Sequence, residues 1–201
     1  MKIKTQEELR SLYKLPSGRA KDKVLMRLEK HSIHYIESSP FMLLSTSNSK
    51  GKMDNSPRGG EPGFVKVLDE TRILIPDARG NNRIDSLQNI VETGSIGTLF
   101  LIPGIDETLR LNGSAYISND PELLSLFTSE KFPIISCIVI EIEEVFIHCA
   151  KAFMRSELWS SEAQMKRSNF PTIGQILKDQ LKASEVPESQ KAMVKRYSEN
   201  L

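Results

Sequence analysis

The side chains best suited to chemistry are cationic and polar, and they gather around one turn. Residues 74–91 read Leu-Ile-Pro-Asp-Ala-Arg-Gly-Asn-Asn-Arg-Ile-Asp-Ser-Leu-Gln-Asn-Ile-Val: the end of a strand, a Gly/Asn-rich turn and the opening of an amphipathic helix. Arg83 falls in the first helical turn, where the macrodipole is already positive and acidic residues are preferred. Arg79 adds a second cation just before it. Free backbone N–H groups, a glycine that admits close approach and converging guanidinium groups suit a bound anion, above all a phosphate. The competing reading is a surface one, in which Arg79 and Arg83 only pair with Asp77 and Asp85. Asn82 reads as the N-cap with Asp85 in a capping-box-like relation, and Ile84, Leu87, Ile90 and Val91 as the buried stripe.

Another arginine, Arg58, closes an earlier strand in Ser56-Pro57-Arg58-Gly59. If the two strands are neighbours in a small barrel, Arg58 and Arg83 reach one phosphate, with Asn82 and Ser86 as further donors. Catalytic signatures are absent: there is no GxSxG, HExxH, Walker loop or GxGxxG. Arg58-Gly59-Gly60 lacks the lysine and following helix of a phosphate loop. His148 and Cys149 are adjacent on a strand and so point to opposite faces, which makes a poor nucleophile–base pair; Cys149 is expected to be buried and inert. His31 and His34 have no cysteine or carboxylate cluster around them, so no metal site is expected. No residue presents itself as the catalytic acid or base, and the catalytic set stays unknown.

The elements that must hold these groups follow from pattern. Residues 5–37 read as helix, a break at Leu15-Pro16-Ser17-Gly18, and a second helix with Val24, Leu25, Leu28 and Ile36 on its apolar side. Short stretches between turns rich in Gly, Asn, Asp and Pro then predict strands at 41–46, 53–58, 64–68, 72–76, 95–102, 108–118 and 134–148, the last two alternating cleanly, with helical connections only at 81–93 and 121–129. Strands outnumbering helices favour a mostly antiparallel barrel with a few covering helices over a doubly wound parallel sheet. Ile173, Ile176, Leu177 and Leu181 predict a further helix, and 188–199 a weaker one. The expected organisation is a single domain over 1–201: N-terminal helices at 1–38, a barrel core at 39–160 and a helical extension at 161–201.

Composition bounds the partners. The 27 Lys and Arg against 26 Asp and Glu give a net charge of +1, so no global field recruits nucleic acid or membrane and any anion binding is local. No apolar run is long enough to span a bilayer, and the N-terminus lacks the apolar centre of a signal peptide. Two cysteines without CxxC spacing predict reduced thiols and a cytoplasmic location.

Taken together, several runs resemble one family. They are Ser56-Pro57-Arg58-Gly59, Pro62-Gly63-Phe64-Val65, Leu74-Ile75-Pro76-Asp77, 80–86, Phe100-Leu101-Ile102-Pro103-Gly104 and 107–113. Over about residues 20–160 the chain is similar to the pyridoxamine 5′-phosphate oxidase-like, FMN-binding split-barrel family, and His148-Cys149-Ala150-Lys151-Ala152 with Arg155-Ser156 and Leu158-Trp159 fits a bacterial branch of it. The resemblance implies a mainly β (α+β) fold, an antiparallel six-stranded split barrel with flanking helices. It also implies a homodimer with FMN at the subunit interface and oxidoreductase chemistry on a small molecule. By position it assigns Arg58 and the Asn81-Asn82-Arg83 triplet to the flavin phosphate, and Ile75 and Pro76 to the strand lining the ring. Lys151, Arg155 and Trp159 would reach the flavin from the other subunit. The triplet departs from the family's Ser-Arg-Lys, and the C-terminal arginine signature for a substrate phosphate is not evident, so pyridoxamine phosphate itself is not the implied substrate. The alternatives are a non-enzymatic flavin carrier or sensor, a deazaflavin or haem in place of FMN (haem with His148 as axial ligand), and a barrel that serves only as an interaction module.

Overall fold

All seven predicted strand stretches become strands. In the computed structural model, which describes residues 2–78, 80–127 and 132–198, they are β1 (Phe41–Ser47), β2 (Met53–Gly59), β3 (Lys66–Asp69), β4 (Arg72–Ala78), β5 (Ser95–Leu101), β6 (Thr108–Ser118) and β7 (Ile134–His148). Every pairing is antiparallel, in one sheet of order β2-β1-β5-β6-β7-β4-β3. The fold is thus mainly β with flanking helices, and its seven strands match the seven predicted stretches rather than the six the resemblance implied. Turn chemistry fixes the registers. Asn48 Oδ1 accepts from the amides of Lys50 and Lys52 at 3.0 Å each, and Gly51 supplies the positive φ of +74° that closes the β1–β2 hairpin.

The sheet is open but strongly curled. In the strand order, β2 and β4 stand five intervals apart, which in a flat sheet is roughly 24 Å at ~4.8 Å per interval. Yet Arg58 on β2 lies 4.0 Å from Asp77 on β4. The two ends of the sheet therefore face each other across a gap without pairing, which is the split of the barrel. Inside the curl lie Met42, Leu44, Ile73, Ile75, Phe100, Leu109, Leu111, Ile138 and Ile140, all fully buried. A smaller cluster of Leu74, Phe127, Cys137 and Val139 occupies the other face of β4 and β7.

Helices flank this sheet. In chain order they are α1 (Gln6–Leu12), α2 (Arg19–Asp22), α3 (Lys30–Ser38), α4 (Asp85–Thr93), α5 (Pro121–Leu124), α6 (Lys151–Ser156), α7 (Ile173–Leu181) and α8 (Gln190–Ser198). Of these, α3, α4 and α5 pack on the sheet. A capping box of Glu29 and Ser32 starts α3, which buries Ile36 and Tyr35 and is tied by the Tyr35 hydroxyl donating to Glu107 O at 2.7 Å. The expected helix through Val24–Leu28 does not form. Leu25 instead bridges Val145 through two backbone bonds of 3.0 and 2.8 Å, and the Leu28 amide donates to Glu70 O at 2.7 Å; these sheet-edge bonds replace an intrahelical ladder. Helices α1, α7 and α8 bury none of their described residues. No helix among the described residues is long and apolar enough to cross a membrane.

Helix α4 buries only part of the stripe its apolar spacing predicts, Ile90 fully and Leu87 partly. Ser86, Asn89 and Ile90 are buried, whereas Val91 is 77% exposed and Ile84 50%. The reason is a polar seam. Asn89 Nδ2 donates to Thr46 Oγ1 at 3.0 Å, Thr93 Oγ1 donates to Ser47 O at 2.9 Å, and Ser86 Oγ donates to Asp54 Oδ2 at 2.5 Å. These bonds fix the inward face of the helix and leave Ile84 and Val91 turned outward, while Leu87 packs half-buried against the core.

The tightest approach in the sheet lies at the β6 bulge between Asn112 and Gly113, where a Cβ on Gly113 would stand 2.0 Å from Glu141 O. Gly113→Ala is expected to destabilise the fold by about 1–3 kcal/mol or more through overpacking. A lowered urea midpoint at unchanged m-value checks it.

Candidate functional site

Period-two alternation places Asp54, Ser56 and Arg58 on the half-buried face of β2. Across the gap, β4 is covered by β3 only as far as Leu74, so residues 75–78 keep an outer edge without a strand partner among the described residues. The turn 80–84 then runs over the gap into α4. These elements, with Phe64, Lys66 and the first residues of β7, wall a cavity of about 1240 Å³. It is larger than the ~300–1,000 Å³ usual for small-molecule sites.

The focus of the cavity is Arg58. Its Nη1 donates to Ser56 Oγ and to Pro57 O, the latter at 3.0 Å. Its Nε is buried and has no hydrogen-bond partner, and its Nη2 stands 4.0 Å from Asp77 Oδ1, too far for a hydrogen bond. A buried donor without a partner costs free energy comparable to a lost hydrogen bond. With Nη1 engaged, the Nε–Nη2 edge is the one left to grip an oxyanion bidentately. Burial pushes the Asp77 carboxyl above its ordinary value, and Arg58 offsets only part of that rise.

The turn supplies backbone donors. Asn82 and Ile84 both take positive φ, +58° and +46°. For a β-branched residue such as Ile84 that conformation costs on the order of 1–3 kcal/mol. Asn82 is not the N-cap: the helix begins at Asp85, and the capping position falls to Ile84, whose side chain offers no acceptor. The first amides of α4 therefore carry no side-chain cap, at an end where an anion is favoured. Asn81 Oδ1 accepts from the Arg83 amide at 3.0 Å, and Arg83 Nε pairs with Asp85 at 2.8 Å with its side chain 74% exposed.

Of the residues singled out in the sequence, Arg58, Pro76, Asn81, Asn82, Arg83 and Ser86 line this one cavity. Ile75 lies beneath it, with its side chain fully in the core. Ser86 is buried and committed to Asp54. Lys151, Arg155 and Trp159 lie on and after α6, beyond the far end of the 15-residue β7, and are not brought to the cavity within one chain. There Trp159 stacks on Phe153 at 5.5 Å and donates to Ile105 O at 3.0 Å. Arg79 lies outside the described residues. Cys149 is exposed, against expectation, and Cys137 is the buried thiol; Cys149 falls one residue past the end of β7. His148 has a buried Nδ1 without a partner, and burial together with Arg110 and Lys23 holds its pKa below the ordinary value. Reading the sequence missed Asp77 as the partner of Arg58, and Asp54, Lys66 and 134–136 as walls. Alternation back from Arg58 points to Asp54, but the β7 wall depends on strand order and leaves no local signal.

Comparison with known proteins fits this architecture. The sequence matches the family model described as pyridoxamine 5′-phosphate oxidase over residues 28–149, and the chain belongs to that family. Among solved structures it is similar to a HupZ variant from Group A Streptococcus, with 14% identity and a TM-score of 0.50 over 60% of this chain and 98% of that one. It is also similar to a putative pyridoxamine 5′-phosphate oxidase from Lactobacillus delbrueckii, with 18% identity and a TM-score of 0.49 over 61% and 95% of the two chains. A third is an FMN-binding protein from Syntrophomonas wolfei, with 14% identity and a TM-score of 0.42 over 58% and 88%. No curated protein matches the sequence.

The raised Asp77 carboxyl gives a pH signature. The folded state holds this proton more tightly than the unfolded chain does, so the stability cost of Asp77 is absent below its ordinary pKa of 3.8. It grows as pH rises from there through the raised folded value. Asp77→Asn removes that cost: the variant should melt at a higher temperature than the native chain at pH 7 and at the same temperature near pH 3. Thermal unfolding at the two pH values measures the difference.

Proposed function

We propose that this protein is an FMN-binding flavoprotein and an FMN-dependent oxidoreductase acting on a small molecule. The observation that carries the reading is the unpartnered Nε of Arg58, buried in the wall of a cavity whose rim is an uncapped helix end. Such an arrangement suits a phosphate monoester, the charged end of FMN. Phe64, Leu87, Ile134, Ile135 and Pro76 give the same cavity apolar walls for a planar ring. The outer edge of β4 at 75–78 offers backbone N–H and C=O groups to the ring's polar rim. When bound, the flavin supplies hydride acceptance and donation, and the protein supplies orientation, electrostatics and exclusion of water. Family membership supports flavin over a cofactor of unrelated shape. The free, unbridged cysteines suit a cytoplasmic site of action.

The reading includes a homodimer. Ile84, Leu87, Val91 and Ile117 frame an almost wholly apolar hollow of about 500 Å³ on the outside of α4, and Ile84 and Leu87 also line the large cavity. A second subunit on this face would cover the apolar residues that the polar seam of α4 leaves in water. It would also be the source of Lys151, Arg155 and Trp159 at the flavin.

Purified protein should be yellow, or become yellow on adding FMN, in its visible absorption spectrum. Arg58→Ala should weaken FMN binding by about tenfold to a hundredfold, the loss of about 1.5–3 kcal/mol for hydrogen bonds to a charged group. Arg83→Ala should weaken it by only about twofold to fivefold, because that side chain is exposed and paired. Colourless protein that takes up no FMN would overturn the reading; tight FMN binding without turnover of NADH or NADPH would make it a carrier or sensor. Val91→Glu should shift the protein to a monomer in sedimentation velocity and lower FMN affinity with it.

A further inference from the structure

We propose that Asp77 is a specificity residue at the phosphate position: its carboxylate stands in for the ligand at Arg58, and a phosphate ligand binds with uptake of a proton by the pocket. The inference deepens the flavin reading and rests on it.

The argument begins with the accounting at Arg58. Ser56 Oγ and Pro57 O occupy Nη1, while the Nε–Nη2 edge makes no hydrogen bond. That edge is free of hydrogen bonds but not of charge, because Asp77 Oδ1 stands 4.0 Å from Nη2. An oxyanion seated bidentately there must lie against the Asp77 carboxylate. Two negative groups sharing one partly desolvated site favour protonation of one of them.

The other charges around the cavity are already engaged or lie at its rim. From β2, Asp54 accepts from Ser86 Oγ; from the turn and α4, Arg83 pairs with Asp85. From β3, Lys66 Nζ donates to Gly63 O at 2.8 Å, and Glu61 in the β2–β3 connection is exposed. From β7 the wall is Ile134, Ile135 and Ser136, none of them titratable in the working range. Among the described residues, Asp77 is thus the carboxylate left beside the Nε–Nη2 edge of Arg58. Already disfavoured as an anion by its burial, it is the group that takes the proton. A neutral carboxyl becomes an O–H donor, so the residue that competes with phosphate in the free site can hydrogen-bond to it in the bound one.

The linkage has a definite sign. Bound phosphate raises the Asp77 pKa further, so native affinity is highest when the carboxyl is already neutral and falls as pH climbs between the free and bound pKa values. The test measures dissociation constants of FMN and of riboflavin, which has no phosphate, from pH 5 to pH 9 by quenching of flavin fluorescence. The native protein is compared with Asp77→Asn, and the ratio between the two cancels the titration of the FMN phosphate itself. For FMN the ratio of native to variant Kd should be lowest at the acid end of the range and rise with pH, by about tenfold or more where the bound phosphate holds the proton on Asp77. For riboflavin it should stay flat. Calorimetry of FMN binding to the native protein in two buffers of different ionisation enthalpy should show net proton uptake that Asp77→Asn loses. A pH-independent FMN ratio, or a riboflavin ratio that moves with it, overturns the inference while leaving the flavin reading standing. Failure of both proteins to bind FMN at any pH overturns the two together.

Discussion

The structure depends on the curl that brings the two ends of one sheet face to face. Hydrogen bonding alone would let seven antiparallel strands lie as a gently twisted sheet with β2 and β4 far apart. The buried side chains of β1, β4, β5, β6 and β7 share one core, and enclosing them on the inner face requires the sheet to wrap. Wrapping without closure leaves a gap, and into that gap the sequence places Arg58 from one side and Asp77 from the other. The candidate site is therefore not an addition to the fold. It is the space left where the barrel stops short of closing, roofed by the turn that leads into α4.

That origin explains the character of its residues. A guanidinium in a core would be costly without full pairing, and on an open surface it would be hydrated. Arg58 is in neither situation: its side chain is about a quarter exposed, one nitrogen is satisfied locally, and the opposite edge meets only a carboxylate at long range. Backbone strain at Ile84 adds to the same corner. Unsatisfied donors and left-handed residues concentrated at one place are what a ligand-binding turn requires and what a merely structural connection would relax.

Much of this was legible in the sequence, for identifiable reasons. Alternation marks strands with one face on the core, such as β1 and β6, and it places Arg58 with Asp54 and Ser56 on one side of β2; β4 and β7, covered on both faces, read instead as apolar runs. The Gly/Asn run marks the turn. Helix α4 was read as a helix with Ile90 and Leu87 rightly inward but Ile84 and Val91 wrongly so, because the bonds from Asn89 to Thr46 and from Thr93 to Ser47 cross more than forty residues and have no local trace. The segment 24–28 was read as helical for the same reason: its hydrogen bonds go to Val145 and Glu70. The pairing of Arg58 with Asp77 depends on strand order and curl together, which no single stretch of sequence encodes. The places of Lys151, Arg155 and Trp159 came only from family resemblance, and one chain does not bring them to the cavity.

Both lips of the gap carry a proline, Pro57 in β2 and Pro76 in the half-paired part of β4. A residue with no amide proton cannot serve as a rung, and prolines in sheets belong to borders for that reason. The two rims thus resist being stitched into a seventh pairing that would seal the cylinder, and β2 is a poor template for a stray strand from another molecule. The opening is kept by what the backbone lacks, so the slot can persist without anything inside to prop it.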